Sequence, residues 1–194
     1  MTQHMFDLVR EMLAPVGGPV LEIGSYVESQ QDHLNMRNAF PADTHYIGID
    51  ANPGAGVDFV VDLLSPTEMD VLQRAFTPRV VLCLYVVEHA WRIHDAMRAL
   101  ADVWKRNPES WMLVATHQNQ PYHGTAKYGD YWRLTLQGLR QLAIEAGFPS
   151  PAHVLGHRDT SNPDDIILIR QPQSMPHPWP NGRVGTAVQW SPLP

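Results

Sequence analysis

Cysteine is almost missing from this chain. Cys83 stands alone among 194 residues, so no internal disulfide can form, and a reducing, cytoplasmic setting is expected. No apolar run approaches the roughly 20 residues that a bilayer-crossing helix needs. The N-terminal stretch Met1–Asp7 lacks the basic-then-apolar order of a secretion signal. Basic charge is scarce too: 14 Lys and Arg stand against 20 Asp and Glu, for a net charge of −6, and no basic cluster stands out. That balance disfavours binding to a phosphate backbone, so no nucleic-acid partner is expected. Internal repeats are absent. What is present is a hydrophobic share of 44%, enough for the core of one ordinary domain.

Apolar runs and breakers divide the chain into alternating elements. Residues 2–14 read as a short amphipathic helix with Thr2 as N-cap, stopped by Pro15-Val16-Gly17-Gly18-Pro19. Val20–Ile23 is a first strand that breaks at Gly24, and Glu28–Asn38 is read as the helix after it. Tyr46–Asp50 is a second strand and Val57–Val61 a third, closed by Asp62. Ser65-Pro66-Thr67-Glu68 combines an N-cap, a first-position proline and the acid of a capping box, opening a helix to about Ala75. Arg79–Tyr85, the most hydrophobic strand, should lie near the centre of the sheet, followed by a helix over His94–Arg106 and a strand over Trp111–Ala115. A polar, aromatic loop spans Thr116 to Arg133. Thr135 then caps a helix to Ala146, with Gly147 as C-cap. His153–Gly156 and Ile166–Ile169 are two strands joined by Asn162-Pro163-Asp164-Asp165, a turn too short for a crossover and therefore antiparallel.

Strand–helix alternation predicts an α/β, doubly wound sheet, mostly parallel, with a C-terminal antiparallel hairpin. One domain over 1–170 is expected. Residues 171–194 hold six prolines and read as an extended tail, packed down by Trp179 and Trp190. In such sheets the ligand lies beyond the carboxyl ends of the strands, which directs attention to Gly24, Asp50, Asp62, the run from Tyr85 to His89, and Thr116 onward.

An acid ending the second strand, about 26 positions after a glycine ending the first, is the arrangement that grips a ribose: the glycine admits the ligand and the carboxylate accepts from two vicinal hydroxyls. Asp62 could accept from an exocyclic amine, or instead cap the turn into Ser65. Together these positions describe an adenosine site. Two cofactor classes fit it. A nicotinamide dinucleotide wants G-x-G-x-x-G for its diphosphate, yet the run here is Gly24-Ser25-Tyr26-Val27-Glu28-Ser29. S-adenosylmethionine carries no phosphate and needs fewer glycines.

The motifs Leu21-Glu22-Ile23-Gly24-Ser25, Tyr46-Ile47-Gly48-Ile49-Asp50, Val60-Val61-Asp62-Leu63 and Val86-Val87-Glu88-His89 resemble those of class I S-adenosylmethionine-dependent methyltransferases, especially the small bacterial-type ones. Tyr122-His123 followed by Asp130–Thr135 is similar to a segment that recurs before the last helix of many of these enzymes. The resemblance runs from about Leu21 to Arg170 and implies a Rossmann-like fold with S-adenosylmethionine as cofactor and S-adenosylhomocysteine as product. It implies that Glu22, Gly24 and Ser25 line the methionine end, that Asp50 with Ala51 holds the ribose, that Asp62 and Leu63 meet the adenine, and that Leu84 and Tyr85 run along the cofactor. The second glycine of the family pattern is replaced here by Ser25-Tyr26.

Methyl transfer to a hydroxyl or amine needs a proton acceptor, and histidine suits that task at neutral pH. His117 and His123, after the fifth strand, are the expected catalytic residues, while His89 is read as a structural or supporting group. The substrate is expected to meet Tyr26, Tyr122, Tyr128 and Arg133, the tyrosines forming an aromatic wall and Arg133 pairing with Glu88 or an anionic acceptor. Trp132 reads as a core anchor. His117, His123 and Asp130 match no tight zinc spacing, so no metal is expected. The leading expectation is a methyltransferase acting on a small molecule, with a dimer partner or the tail as the means of enlarging its acceptor site. Its rivals are a non-catalytic cofactor-binding subunit, motivated by the altered first loop, and a nicotinamide-dependent reductase.

Overall fold

A computed structural model describes residues 2–28, 33–148, 154–158 and 165–170. The sheet grows outward from β1 (Val20–Ile23), whose four residues are all buried. β2 (Tyr46–Asp50) flanks it on one side and β4 (Val80–Leu84) on the other, both parallel, with Val20 opposite Tyr46 and Val80. β3 (Phe59–Val60) adds to β2, and β5 (Trp111–His117) to β4, giving a parallel core in the order β3-β2-β1-β4-β5. The backbones of β6 (Val154–Arg158) and β7 (Asp165–Arg170) continue it antiparallel, in the order β5-β7-β6. The expected turn between them, the tail and its tryptophans lie outside the described residues.

Alternation along each strand sorts the side chains into two apolar layers. Leu21, Ile23, Val81, Cys83, Met112 and Val114 face α2 (Pro66–Ala75), α3 (Ile93–Arg106) and α4 (Leu136–Ala146). Val20, Val80, Leu82, Trp111 and Leu113 face α1 (Gln3–Met12) and the segment around Met36. β4 and β5 are buried along their whole length, as strands covered on both faces must be, which accounts for their nearly unbroken apolar sequence. The strand order reverses between β1 and β4, so their carboxyl ends diverge and leave a crevice there. Among the described residues no helix is long and apolar enough to cross a membrane.

Helix ends follow the capping chemistry closely. Thr2 Oγ1 accepts from Met5 N at 3.2 Å, and Thr135 Oγ1 accepts from Gly138 N at 3.0 Å. Gly147 closes α4 in the left-handed region, with φ of 90°. Ser65 caps α2, but the expected reciprocal bond differs. Glu68 reaches back to Asp62 N at 2.8 Å, because Ser65 N is already bonded to Asp62 O at 2.9 Å.

Several element boundaries depart from the sequence reading, β6 and β7 among them, and three have a visible cause. The described part of 28–38 contains no α-helix; Asn35 Oδ1 accepts from Arg37 N and starts a 3-10 turn, Met36–Ala39, and residues 29–32 lie outside the described set. The third strand shrinks from Val57–Val61 to Phe59–Val60. Asp58 turns its carboxylate back to Gly48 N (2.7 Å) and Arg37, which takes it out of the extended run. The fifth strand extends past Ala115, because Thr116 and His117 keep strand pairing with Ile166 and Asp165.

Candidate active site

A cleft of about 780 Å³ opens at the carboxyl ends of β1, β2 and β4, within the size range of small-ligand sites. Its floor begins with Glu22. The side chain is buried and accepts from the Tyr46 hydroxyl at 2.8 Å, and burial pushes its pKa up to about 7. Gly24 follows with φ of 79°, and a Cβ there would overlap Val86 Cγ2, so both backbone and packing demand glycine. Gly24 N and Ser25 N both donate to Ile49 O, at 2.8 and 3.0 Å, which tucks the loop inward. Ser25 is 2% exposed, and its Oγ has no hydrogen-bond partner among the described residues. The Tyr26 ring lies over Gly54, a close approach that a side chain at 54 would block.

Asp50 ends β2 at the cleft wall. Its Oδ1 accepts from Asn52 N at 2.8 Å, and Oδ2 makes no bond within the described residues, so a carboxylate oxygen is available to a ligand. Asp62 also lines the cleft, but its Oδ1 accepts from Leu64 N at 2.8 Å, an Asx turn that leads into the Ser65 cap. Leu63 is buried beside it. On the opposite wall Tyr85 has φ of 59°, the one positive value at a non-glycine among the described residues. Its ring stacks on His117 with centroids 4.4 Å apart, and such strain is held in place by the surrounding packing.

The roof is the loop between β5 and α4. Glu88, fully buried, accepts from the Thr116 hydroxyl at 2.8 Å, and its backbone oxygen accepts from Tyr131 N and Trp132 N. Burial pushes the Glu88 carboxyl up to about 7. The Trp132 indole donates to Ala90 O at 2.9 Å, so Trp132 anchors the loop as expected. At the loop tip Lys127 Nζ sits 4.0 Å above the Tyr26 ring and donates to its hydroxyl at 2.5 Å, joining roof to floor. His89, half-buried in the cleft wall, has its pKa lowered by burial.

Glu22, Gly24, Ser25, Tyr26, Asp50, Ala51, Asp62, Leu63, Leu84, Tyr85, His117, His123 and Tyr128 all line this cleft. Tyr122 and Arg133 do not. Tyr122 is 77% exposed and turned outward. Arg133 is occupied elsewhere: it donates to both oxygens of Asp130 at 2.6 Å and to the carbonyls of Gln120 and Pro121. Its expected partner Glu88 is replaced by Asp130, three positions away, whose carboxyl the guanidinium holds well below the usual range. Lys127, Leu34 and Met36 line the cleft without having been singled out. Leu34 and Met36 lay inside a stretch read as a helix stripe, and an exposed lysine in a polar loop carries no pattern of its own.

No family model matches this sequence, and no curated protein does. Solved structures do. The N-terminal domain of EvdMO1 with SAH bound superposes with a TM-score of 0.58 at 15% identity, covering 89% of this chain and 83% of that one. An O-methyltransferase family protein from Burkholderia thailandensis gives 0.55 at 14% identity over 87% of this chain, and 55% of its own. A SAM-dependent methyltransferase from Archaeoglobus fulgidus gives 0.54 at 12% identity, covering 85% and 93%. The fold is that of the class I S-adenosylmethionine-dependent methyltransferases. At these identities the likeness speaks for the methyltransferase fold alone, and the site's chemistry rests on the residues described above.

Proposed function

We propose that this protein is an S-adenosylmethionine-dependent methyltransferase that methylates a hydroxyl or amine of a small molecule. One observation carries the proposal: at the reversal point of the sheet, the cleft sets an open Asp50 oxygen beside the tight turn at Gly24 and Ser25. These suit a ribose and a phosphate-free tail. A diphosphate would meet Glu28 and the Tyr26 ring instead, which speaks against a nicotinamide dinucleotide. When bound, the cofactor supplies an electrophilic methyl on sulfur.

This chain's residues would then hold and orient. Asp50 and Ala51 take the ribose, Asp62 and Leu63 the adenine edge, Glu22, Gly24 and Ser25 the methionine end, with Leu84 and Tyr85 along the cofactor. Tyr26 and Tyr128 flank an acceptor of cleft size. His117 and His123 are the catalytic candidates for taking the acceptor's proton. His123 has the better support: its Nδ1 lies 3.3 Å from Asp130 Oδ2, which orients the ring and leaves Nε2 for the substrate. The two last strands serve as the antiparallel closure of the sheet, and a second copy of the chain or residues 171–194 would enlarge the acceptor side. The buried, lone Cys83 fits a cytoplasmic enzyme.

Calorimetric titration tests the reading. Saturable one-to-one binding of S-adenosylhomocysteine, with turnover of S-adenosylmethionine once an acceptor is supplied, is expected. Binding without turnover across a panel of phenols, alcohols and amines favours the non-catalytic subunit, and NAD binding without S-adenosylhomocysteine binding overturns the reading altogether.

A further inference from the structure

Glu88, His89 and His123 converge from separate segments, the turn after β4 and the roof loop, with the two histidines lining the cleft and Glu88 buried behind them. Each offers a ligating atom, and the three atoms lie within 4.8 Å of one another. We propose that these three side chains bind a divalent transition-metal ion of the zinc type, with open positions facing the cleft.

The carboxylate is the first support. Glu88 is completely buried; Oε2 is satisfied by Thr116, while Oε1 has no hydrogen-bond partner among the described residues. A buried acceptor is rarely left unmet, and such an exception asks for an explanation. An ion pair with His117 supplies a weak one, since His117 Nε2 is 4.0 Å away, beyond hydrogen-bond reach, and its ring is stacked on Tyr85.

The histidines are the second support. Metal-binding imidazoles characteristically have their other nitrogen held by a backbone carbonyl or a carboxylate, which fixes the tautomer and aims the free lone pair. Both rings have this arrangement. His89 Nδ1 meets Gly129 O at 2.5 Å. His123 Nδ1 meets Pro121 O at 3.1 Å and Asp130 Oδ2 at 3.3 Å. Arg133 Nη2 also lies 3.4 Å from His123 Nδ1, but it is committed to Asp130 at 2.6 Å. A proton on each Nδ1 therefore satisfies its neighbours and leaves each Nε2 as a ligand. The Asp130 side chain, 1% exposed and clamped by Arg133, is the supporting carboxylate behind the site.

Two imidazoles and one carboxylate suit zinc, cobalt, iron or manganese with open positions for a water or substrate oxygen. Around a tetrahedral ion with bonds of about 2.1 Å the ligand atoms are about 3.4 Å apart, so the three groups need close by no more than about 1.4 Å. Spacing in sequence hides the site, because Glu88 and His89 are adjacent and His123 arrives from a loop that folds back over them. An ion here would polarise an acceptor oxygen, which favours an acceptor able to chelate, such as a vicinal diol or a hydroxy-carbonyl compound. That consequence rests on the methyltransferase reading; ion binding does not. Metal and proton compete for the same His123 Nε2, so the loaded site uses His123 as a ligand and not as a base.

Titration of the chelator-stripped full chain with Co²⁺, followed by visible absorption, tests the proposal. One equivalent should bind with the ligand-field bands of a nitrogen and oxygen site. His89→Ala and His123→Ala should each abolish those bands, and Asp130→Asn should weaken Co²⁺ binding by about 10–100-fold. His94→Ala, on the exposed face of α3, should change nothing. Thermal melting shows which variants fold, and the half-buried loop position of His123 makes its variant the safest. Absence of the bands at saturating Co²⁺, or bands that persist in folded His123→Ala, would overturn the site. Loss of Co²⁺ binding with S-adenosylhomocysteine binding and turnover intact in chelator would sink the metal and leave the methyltransferase standing. Co²⁺ binding without S-adenosylhomocysteine binding would do the reverse.

Discussion

The two walls of the cleft are built by different means. The wall at the ends of β1, β2 and β3 is fixed mainly by backbone donors: two local turns, Asn52 N on Asp50 and Leu64 N on Asp62, and the strand-end bonds of Gly24 N and Ser25 N to Ile49 O across the sheet. The wall at the ends of β4 and β5 is made of side chains that meet across long stretches of sequence, such as Thr116 on Glu88, Trp132 on Ala90 and Lys127 on Tyr26. Local turns leave short motifs in a sequence. Long-range side-chain contacts leave none. On the proposed reading most cofactor contacts fall on the first wall and the proton-accepting histidines on the second, with Leu84, Tyr85 and Tyr26 crossing that line.

The sharpest way to break this division is at His123. In the ion-free protein, replacing it with alanine should lower turnover by about 10²–10⁴-fold, the usual contribution of a proton-transferring side chain, while S-adenosylhomocysteine affinity stays within experimental error. His117→Ala should fall in the same direction if it shares the role. A drop in cofactor affinity equal to the drop in turnover would show that the two walls do not act separately.

Glu22 offers a pH test of the cofactor wall in the absence of ligand. Its folded pKa of about 7 lies above the ordinary 4.5, so the folded state holds the proton more tightly than the unfolded chain. Stability from this group is therefore complete below pH 4.5 and is lost as pH rises through 7. The ceiling on the loss is about 3 kcal/mol, from a difference of about 2.5 pH units at about 1.36 kcal/mol each. Glu22→Gln keeps an acceptor for Tyr46 and removes the titration, so its denaturant midpoint should be flatter between pH 5 and 8 and higher than wild type at pH 8. Parallel curves for the two proteins would mean that Glu22 is already charged in the fold.

Asp50→Ala should weaken S-adenosylhomocysteine binding by about 1.5–3 kcal/mol, the range for hydrogen bonds to a charged group. The variant should fold normally, because only the Asn52 turn depends on the side chain. Unchanged affinity would remove Asp50 from the site and with it the main support for an adenosine ligand.

The same contrast explains what could be read in advance. The helices α2 and α4 and the strand endings Gly24, Asp50 and Asp62 follow from capping residues, glycine and acids acting on their near neighbours. The third strand was overestimated because Asp58, in the midst of an apolar run, is drawn away by Gly48 and Arg37, ten and 21 positions distant. β5 was cut short because Thr116 and His117 look like loop residues until Glu88 is seen beneath them. Arg133 shows the converse: its partner is not the distant Glu88 but Asp130, three residues away.

Lys127 is where the two walls touch, and the smallest expected effect is the most informative about their coupling. Its ammonium lies over the Tyr26 ring and bonds the hydroxyl, linking the roof loop to the loop after β1. The residue is exposed, so the cation–π contact is worth only about 0.5–1 kcal/mol, a factor of roughly two to five in an equilibrium constant. Tyr26→Phe keeps the ring face and removes the oxygen, whereas Lys127→Ala removes both interactions. If the link closes the roof over bound ligand, Lys127→Ala should raise the acceptor KM by that small factor and Tyr26→Phe by less, with cofactor affinity nearly unchanged. A larger effect on S-adenosylhomocysteine binding than on acceptor KM would place the loop tip on the cofactor side. No change in either would mean that roof and floor, though in contact, bind their ligands independently.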